Sequence, residues 1–222
     1  MKAPVVLVHG AGGNAASWAP VQARWPDTVA VDLPGRADAG PTVTTIAALA
    51  EGLARSLEAP STVIGHSMGG AVAMQLALDH PERVARLVLV NTGARLRVSP
   101  AILGAVGAAT PDVPFRVDLA FGSATDPSVV DANALATASV PIATTLADWR
   151  ACDGFDLRDR IGAITTPTRV LGGELDAVTP PRFQAWLAEA LPNASLHLLP
   201  DVGHMLPWER PGGLAEAVTG TW

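Results

Sequence analysis

Six short, mostly apolar runs constrain this chain more than any other feature. They fall at residues 4–8, 28–31, 62–65, 87–90, 168–171 and 195–199. A strand with one wet face alternates apolar and polar residues, whereas a strand covered on both faces is apolar throughout. Segments of helical character separate most of the runs. Residues 44–58 carry Ile46, Leu49, Leu53 and Leu57, a stripe at helical spacing. Residues 69–80 are rich in Ala, Leu and Met and stop before Pro81, where a helix should end. Residues 182–191 and 211–219 read the same way, the second opening with a proline suited to a first turn. Alternating strands and helices predict an α/β fold, with a mostly parallel six-stranded sheet and helices on both faces.

The alternation fails between residues 94 and 150. Pro100, Pro111, Pro114, Pro127 and Pro141 punctuate short Ala/Leu/Val-rich pieces there. Loops longer than about 15 residues are uncommon, and an excursion of this length usually covers or shapes a site. We therefore expect a core at 1–93 and 151–222 with a short helical cap insertion at 94–150. Composition narrows the function further. A net charge of −6 with no Lys/Arg cluster argues against nucleic-acid binding. The single cysteine, Cys152, excludes an intrachain disulfide and fits a reducing compartment. Residues 59–78 lack Asp, Glu, Lys and Arg, but His66, Ser67, Gln75 and Gly69-Gly70 read as a buried strand, a turn and a helix. No run has the form of an export signal, so a soluble, cytoplasmic protein that does not engage a membrane is expected.

Gly65-His66-Ser67-Met68-Gly69 fits G-x-S-x-G, with an apolar run before it and a helical segment after it. That context makes Ser67 a candidate nucleophile on a sharp strand-to-helix turn. Glycines at either side let the backbone pack without Cβ clashes, and the helix N-terminus favours developing negative charge. The bland alternative is a glycine-rich turn.

A serine needs a base. Of the five histidines, His66 adjoins the serine but is expected to point to the other side of the turn. His80 reads as a surface or capping residue, and His197 as packed within the last strand. His204 follows that strand, in a loop at the same carboxyl edge as Ser67, where open α/β sheets build their sites. It is the preferred base, with His197 a distant second. Asp176, in the loop after residues 168–171, is the candidate acid that orients it. Glu174 is the rival, more simply read as a surface carboxylate. The order Ser67, Asp176, His204 is that of one hydrolase architecture and not of the trypsin or subtilisin types.

Acyl transfer also needs donors for an oxyanion. The backbone N–H of Met68 is one candidate. His9-Gly10-Ala11-Gly12-Gly13 follows the first run, and Ala11 N–H is the second. A dinucleotide loop is the competing reading; it would need glycine where Ala15 stands, and Asp32 at the end of the second run keeps it open.

With these pieces in order, the chain resembles the α/β-hydrolase superfamily, specifically its small esterase-like members. The matching segments are Val8-His9-Gly10-Ala11-Gly12-Gly13, Asp32-Leu33-Pro34-Gly35, Gly65-His66-Ser67-Met68-Gly69-Gly70, His80-Pro81-Glu82-Arg83-Val84, Gly173-Glu174-Leu175-Asp176 and Gly203-His204. The resemblance implies a Ser67–His204–Asp176 triad, oxyanion donors at Ala11 and Met68, and a cap at 94–150. It implies no cofactor or metal, with a small-molecule ester and water as the reaction partners. The sequence departs from the family in three ways. It starts at the first buried strand, which predicts six strands rather than eight and an edge covered by other means. It reads Gly35-Arg36-Ala37 where many relatives have Gly-His-Gly. Its cap is short, which suggests an open pocket. Trp18, Met68, Trp149 and Met205 are candidates for the substrate-binding wall, with core packing as the alternative. Trp208 and Trp222 are assigned to core or surface, Arg95 and Arg97 to a solvated cap face with binding of a substrate carboxylate as the alternative, and Cys152 to an inert buried thiol.

The expected function is hydrolysis of small carboxylic esters through an acyl-enzyme. The alternatives on this fold are carbon–carbon bond hydrolysis, a lyase step, cofactor-free peroxidase chemistry, or ligand binding without turnover.

Overall fold

The computed structural model describes residues 3–110, 113, 115 and 118–220. Strands β1 (Val5–Val8), β2 (Thr28–Val31), β3 (Ser61–His66), β4 (Val84–Val90), β5 (Thr168–Gly173) and β6 (Ala194–Leu199) form one sheet in the order β2-β1-β3-β4-β5-β6. Every neighbouring pair is parallel, so the sheet is wholly rather than mostly parallel.

The pleat explains why the runs are mostly apolar. Val6 and Val8 of β1, Val63 of β3, Leu87 and Leu89 of β4 and Val170 of β5 join one core. Their neighbours Val5, Leu7, Ile64, Val88, Val90 and Leu171 join the other. Successive side chains point to opposite faces, and both faces are covered. The first core is closed by α2 (Ile46–Ser56), α3 (Met68–Asp79) and α7 (Pro181–Ala190), the second by α1 (Ala19–Gln22), α8 (Leu206–Glu209) and α9 (Pro211–Thr219). Helix α2 buries Ile46, Leu49 and Leu53 and is capped by the Thr45 hydroxyl, which accepts from the Ala48 amide at 3.1 Å. Helix α3 is buried from Met68 to Ala77, which is why it lacks a polar stripe. The apolar stretch at 59–78 is thus β3, the turn at Ser67 and α3. Among the described residues, no single helix is long and apolar enough to cross a membrane.

Between β4 and β5 the chain forms α4 (Pro100–Gly107), α5 (Pro127–Thr137) and α6 (Ile142–Asp153). Helix α6 buries Ala147, Asp148, Ala151 and Cys152, and its last two turns join the first core. The sheet edges are not covered as the sequence suggests. Val29 of β2 is 54% exposed. On β6 Leu196 and His197 are exposed, so His197 is not packed: β6 is the other edge strand. The edge strand β2 is only four residues long, which limits unwanted pairing.

Candidate active site

β3 ends at His66 and α3 begins at Met68, so the reversal is made at Ser67, with φ 54° and ψ −118°. A non-glycine residue rarely occupies such a conformation unless its surroundings impose it. Here a Cβ on Gly65 would lie 2.2 Å from the Gly69 carbonyl oxygen, and one on Gly69 would lie 2.2 Å from that of Val8. The helix start is pressed against both β3 and β1, and the turn has no wider path. The Ser67 carbonyl accepts the Thr92 hydroxyl at 2.8 Å, and its amide donates to Val90 at 2.9 Å.

The loops after β5 and β6 are laced together by backbone bonds, Glu174 N–H to Leu199 and Leu175 N–H to Val202. This brings Asp176 to His204, whose Nδ1 donates to Asp176 Oδ2 at 2.9 Å. Four further donors reach the same carboxylate. Asn91 Nδ2 and the Thr179 hydroxyl donate to Oδ2 at 2.6 and 2.7 Å, and the Val178 and Thr179 amides to Oδ1, each at 2.8 Å. Burial pushes this carboxyl up, but the neighbouring His204, Asn91 and Thr179 outweigh it and hold the pKa at about 2. With Nδ1 committed to Asp176, Nε2 is the ring nitrogen of His204 left for other chemistry. The Glu209 carboxylate pins the loop that carries the ring, accepting the Gly203 and Met205 amides, each at 3.1 Å.

His66 does not turn away from the site. As the last residue of β3 it projects toward the β6–α8 loop, and its Nε2 bonds the His204 carbonyl at 2.8 Å. Its ring lies 4.9 Å from that of His204 and edge-on to Trp18. Burial first, then the adjacent His204, lowers its pKa to about 3, so it is neutral and donates to that carbonyl. His9 is likewise lowered to about 3, by burial and then by Arg36. Its Nε2 accepts the Leu33 amide at 3.2 Å, which leaves the proton on Nδ1 to donate to the Gly10 carbonyl at 2.9 Å. Both rings serve as fixed struts. His80 bonds Glu51 at the surface end of α3.

The loop after β1 lies against Ser67: a Cβ on Gly10 would sit 3.2 Å from Ser67 Cβ. Its amides are nearly all occupied. Gly12 donates to Asp148, Gly13 to the Gly10 carbonyl, Asn14 to Ser17 Oγ and Ala15 to Asp32 Oδ1. Asp32 therefore closes this loop rather than meeting a ribose. Among the described residues, the Ala11 amide takes no partner, nor does that of Met68 at the head of α3. Helix α6 holds the loop from above through Asp148, which pairs with the Arg36 guanidinium. Burial raises the Asp148 carboxyl above its ordinary value, and Arg36 offsets only part of that rise. Its oxygens accept from a guanidinium and an amide, so the pair is an ionised one.

A cavity of about 640 Å³ joins these parts. Ser67, His204, Ala11, Trp18, Trp149 and Met205 all line it. So does Trp208, against its assignment to core or surface, while Trp222 lies outside the described residues. Trp18 is also 1% exposed and belongs to the second core, so it serves both roles. Trp149 meets Phe115 edge-on at 5.7 Å. Met68 is buried, and only its backbone is a candidate for the site. Glu174 is exposed and makes no contact with His204. Arg95 pairs with Asp156, and Cys152 is buried, its thiol pushed up by burial.

Sequence reasoning missed Asn91, Thr179, Glu209 and Asp148. Asn91 and Thr179 lie in loops at the carboxyl edge of the sheet, the same signal that selected Asp176 and His204. Asp148 and Glu209 carry no such local mark.

A sequence model of the alpha/beta hydrolase family matches residues 5–217. The chain is 33% identical over 226 residues to a pimeloyl-(acyl-carrier protein) methyl ester esterase of Neisseria meningitidis serogroup B, across 90% of this chain and 85% of the relative. It is 26% identical over 244 residues to a 2-hydroxy-6-oxononadienedioate/2-hydroxy-6-oxononatrienedioate hydrolase of Cupriavidus pinatubonensis, across 92% and 81%. The solved structure of a thermophilic esterase superposes with a TM-score of 0.81 at 31% identity, covering 98% of this chain and 88% of the esterase.

Proposed function

The chain belongs to the alpha/beta hydrolase family, and from that premise we propose that it is a serine hydrolase of small carboxylic esters. One observation carries the reading: His204, bonded to an Asp176 carboxylate that takes four further donors, borders the same cavity as Ser67 on its strained turn. In this reading Ser67 Oγ attacks the ester carbonyl while His204 Nε2 takes its proton. Asp176 stabilises the imidazolium and fixes its orientation. The Ala11 and Met68 amides receive the oxyanion, the interaction that usually contributes most to such reactions. His204 then gives the proton to the leaving alcohol. Water, deprotonated by the same imidazole, attacks the acyl-enzyme and releases the acid. No cofactor enters these steps.

The cavity suits an uncharged acyl group. Val106, Val130, Ala134, Ile142 and Trp149 from the 94–150 region face the loops that carry Ser67 and Ala11. About 640 Å³ is within the range of small-molecule sites. We read that region as a cap on a 1–93 and 151–222 core, and the protein as acting in the cytoplasm.

Carbon–carbon hydrolysis is the second reading, favoured by the likeness to the Cupriavidus dienedioate hydrolase. A panel of p-nitrophenyl esters of increasing acyl length, run beside a vinylogous diketone and the Ser67→Ala protein, separates the two. We expect Ser67-dependent turnover of the esters, best with short to medium acyl groups. Turnover of the diketone alone would transfer the assignment to the second reading.

A further inference from the structure

The proposed chemistry makes no use of the buried ion pair that ties α6 to the loop beside the nucleophile. Arg36 lies on the loop after β2, and Asp148 is 112 residues further on. They are 3% and 1% exposed. The pair does not end on itself. Asp148 Oδ2 also accepts the Gly12 amide at 2.9 Å. Arg36 Nε donates to the Gly13 carbonyl at 2.6 Å, and Nη1 to that of Pro34 at 3.1 Å. The two charged groups therefore grip consecutive residues of the loop and hold each other.

The position of that grip matters. The peptide joining Ala11 to Gly12 is planar, so fixing the Gly12 N–H fixes the plane that follows the Ala11 amide. Gly12 is at φ +68°, and a Cβ there would come within 3.0 Å of Thr145 on α6. Gly35, at φ +92°, would bring a Cβ within 2.8 Å of Thr144. Helix α6 is seated so closely that both loops need glycine where they meet it. The Thr144 hydroxyl bonds the Gly35 carbonyl at 3.1 Å. The Gly35-Arg36 sequence, which departs from the usual glycine-rich loop, thus has a partner in Asp148.

We infer that Arg36 and Asp148 are positioning residues that hold the 11–13 backbone so that the Ala11 amide faces the developing oxyanion. This rests on the esterase reading above. A pair kept for stability alone is replaceable by apolar side chains of similar volume, a change that is often neutral or stabilising. The bonds to Gly12 and Gly13 are what apolar side chains cannot supply.

The experiment compares two doubly substituted proteins, both free of uncompensated charge. Arg36→Met/Asp148→Leu has no acceptor for Gly12, whereas Arg36→Met/Asp148→Asn keeps one. Each is assayed with a p-nitrophenyl ester and with an aryl trifluoromethyl ketone, to which a serine adds as a tetrahedral oxyanion. The first should melt near the wild-type temperature yet lose about 100-fold in kcat, the scale of a misplaced catalytic group, with KM little changed. Its affinity for the ketone should weaken in step with kcat/KM, since both report the tetrahedral state. The asparagine variant should recover about tenfold or more of that loss. If the leucine variant does not fold, Arg36→Met/Asp148→Ser, whose side chain is too short to reach the amide, takes its place. Wild-type kcat in both proteins, a loss confined to KM, or an asparagine variant no better than its counterpart overturns the inference and leaves the esterase reading standing. A wild-type protein with neither ester turnover nor ketone binding overturns both.

Discussion

Asn91 donates its side-chain amide to Asp176 Oδ2 at 2.6 Å, the same oxygen that accepts from the His204 ring. Asn91 stands directly after β4, with φ +46°, a conformation that asparagine tolerates better than most residues. It steadies the carboxylate oxygen that the imidazole also meets. Asn91→Gly keeps the backbone accessible and removes the donor. A hydrogen bond to a charged group contributes about 1.5–3 kcal/mol, and four donors remain. We expect kcat/KM to fall by about tenfold, with the acidic limb of its pH profile moved to higher pH as the Asp176 carboxyl loses a donor. An unchanged profile would show that Asn91 only fills space.

The buried imidazoles set a pH dependence of stability. His9 and His66 are held at about 3 in the folded protein, below the 6.5 of an unperturbed imidazole. Between those values the unfolded chain binds protons that the folded chain excludes, so stability falls as pH drops through that window. Asp176, at about 2 against an ordinary 3.8, adds a term of the same sign at lower pH. Its contribution is fully present above 3.8 and is lost as pH falls toward about 2. Urea unfolding midpoints measured from pH 7 to pH 4 should decline, and His66→Gln should flatten the slope. A slope identical in the two proteins would remove His66 from the account.

Two glycines near Ser67 should respond differently to alanine. At Gly69 the new Cβ would lie 2.2 Å from a backbone oxygen of β1, where nothing flexible can yield. Gly69→Ala should cost about 3 kcal/mol or more and leave little folded protein at 37 °C. At Gly10 the contacts are 3.2 Å to Ser67 Cβ and 3.3 Å to His66. Gly10→Ala should fold, with a small loss of stability and a larger loss of kcat. Thermal melts and ester assays on the two variants check the contrast.

Cys152 should behave as a reporter of unfolding. It is buried on α6, and burial, Asp148 and Asp153 all push its thiol up. Reaction with a thiol reagent should follow the global unfolding rate as urea is raised. Fast labelling in native buffer would mean that α6 opens on its own.

Much of this was legible in the sequence, and the reason is local. A strand buried on both faces is mostly apolar, so β1 and the apolar stretches within β3 and β4 announce themselves. A tight strand-to-helix turn needs glycine two residues to either side, so the turn at Ser67 does too. His204 and Asp176 follow from their place after β6 and β5. The supporting groups are less visible. Arg36 and Asp148 meet across 112 residues, and neither shows from its neighbours that it will be buried. The direction of His66 was misread because it depends on which way the pleat points at the last residue of β3. Likewise His197 looks packed in an apolar run, but β6 lies at the sheet edge, a fact of strand order.

The central claim is that Ser67 is the group made reactive by His204 and Asp176. Its most direct test is to treat the folded protein with a fluorophosphonate probe and locate the adduct by peptide mass spectrometry, in the wild type and in His204→Gln. One adduct is expected, on Ser67 of the wild type, with labelling slowed at least about a thousandfold in the variant. Labelling at another residue, or equal rates in the two proteins, would contradict the claim.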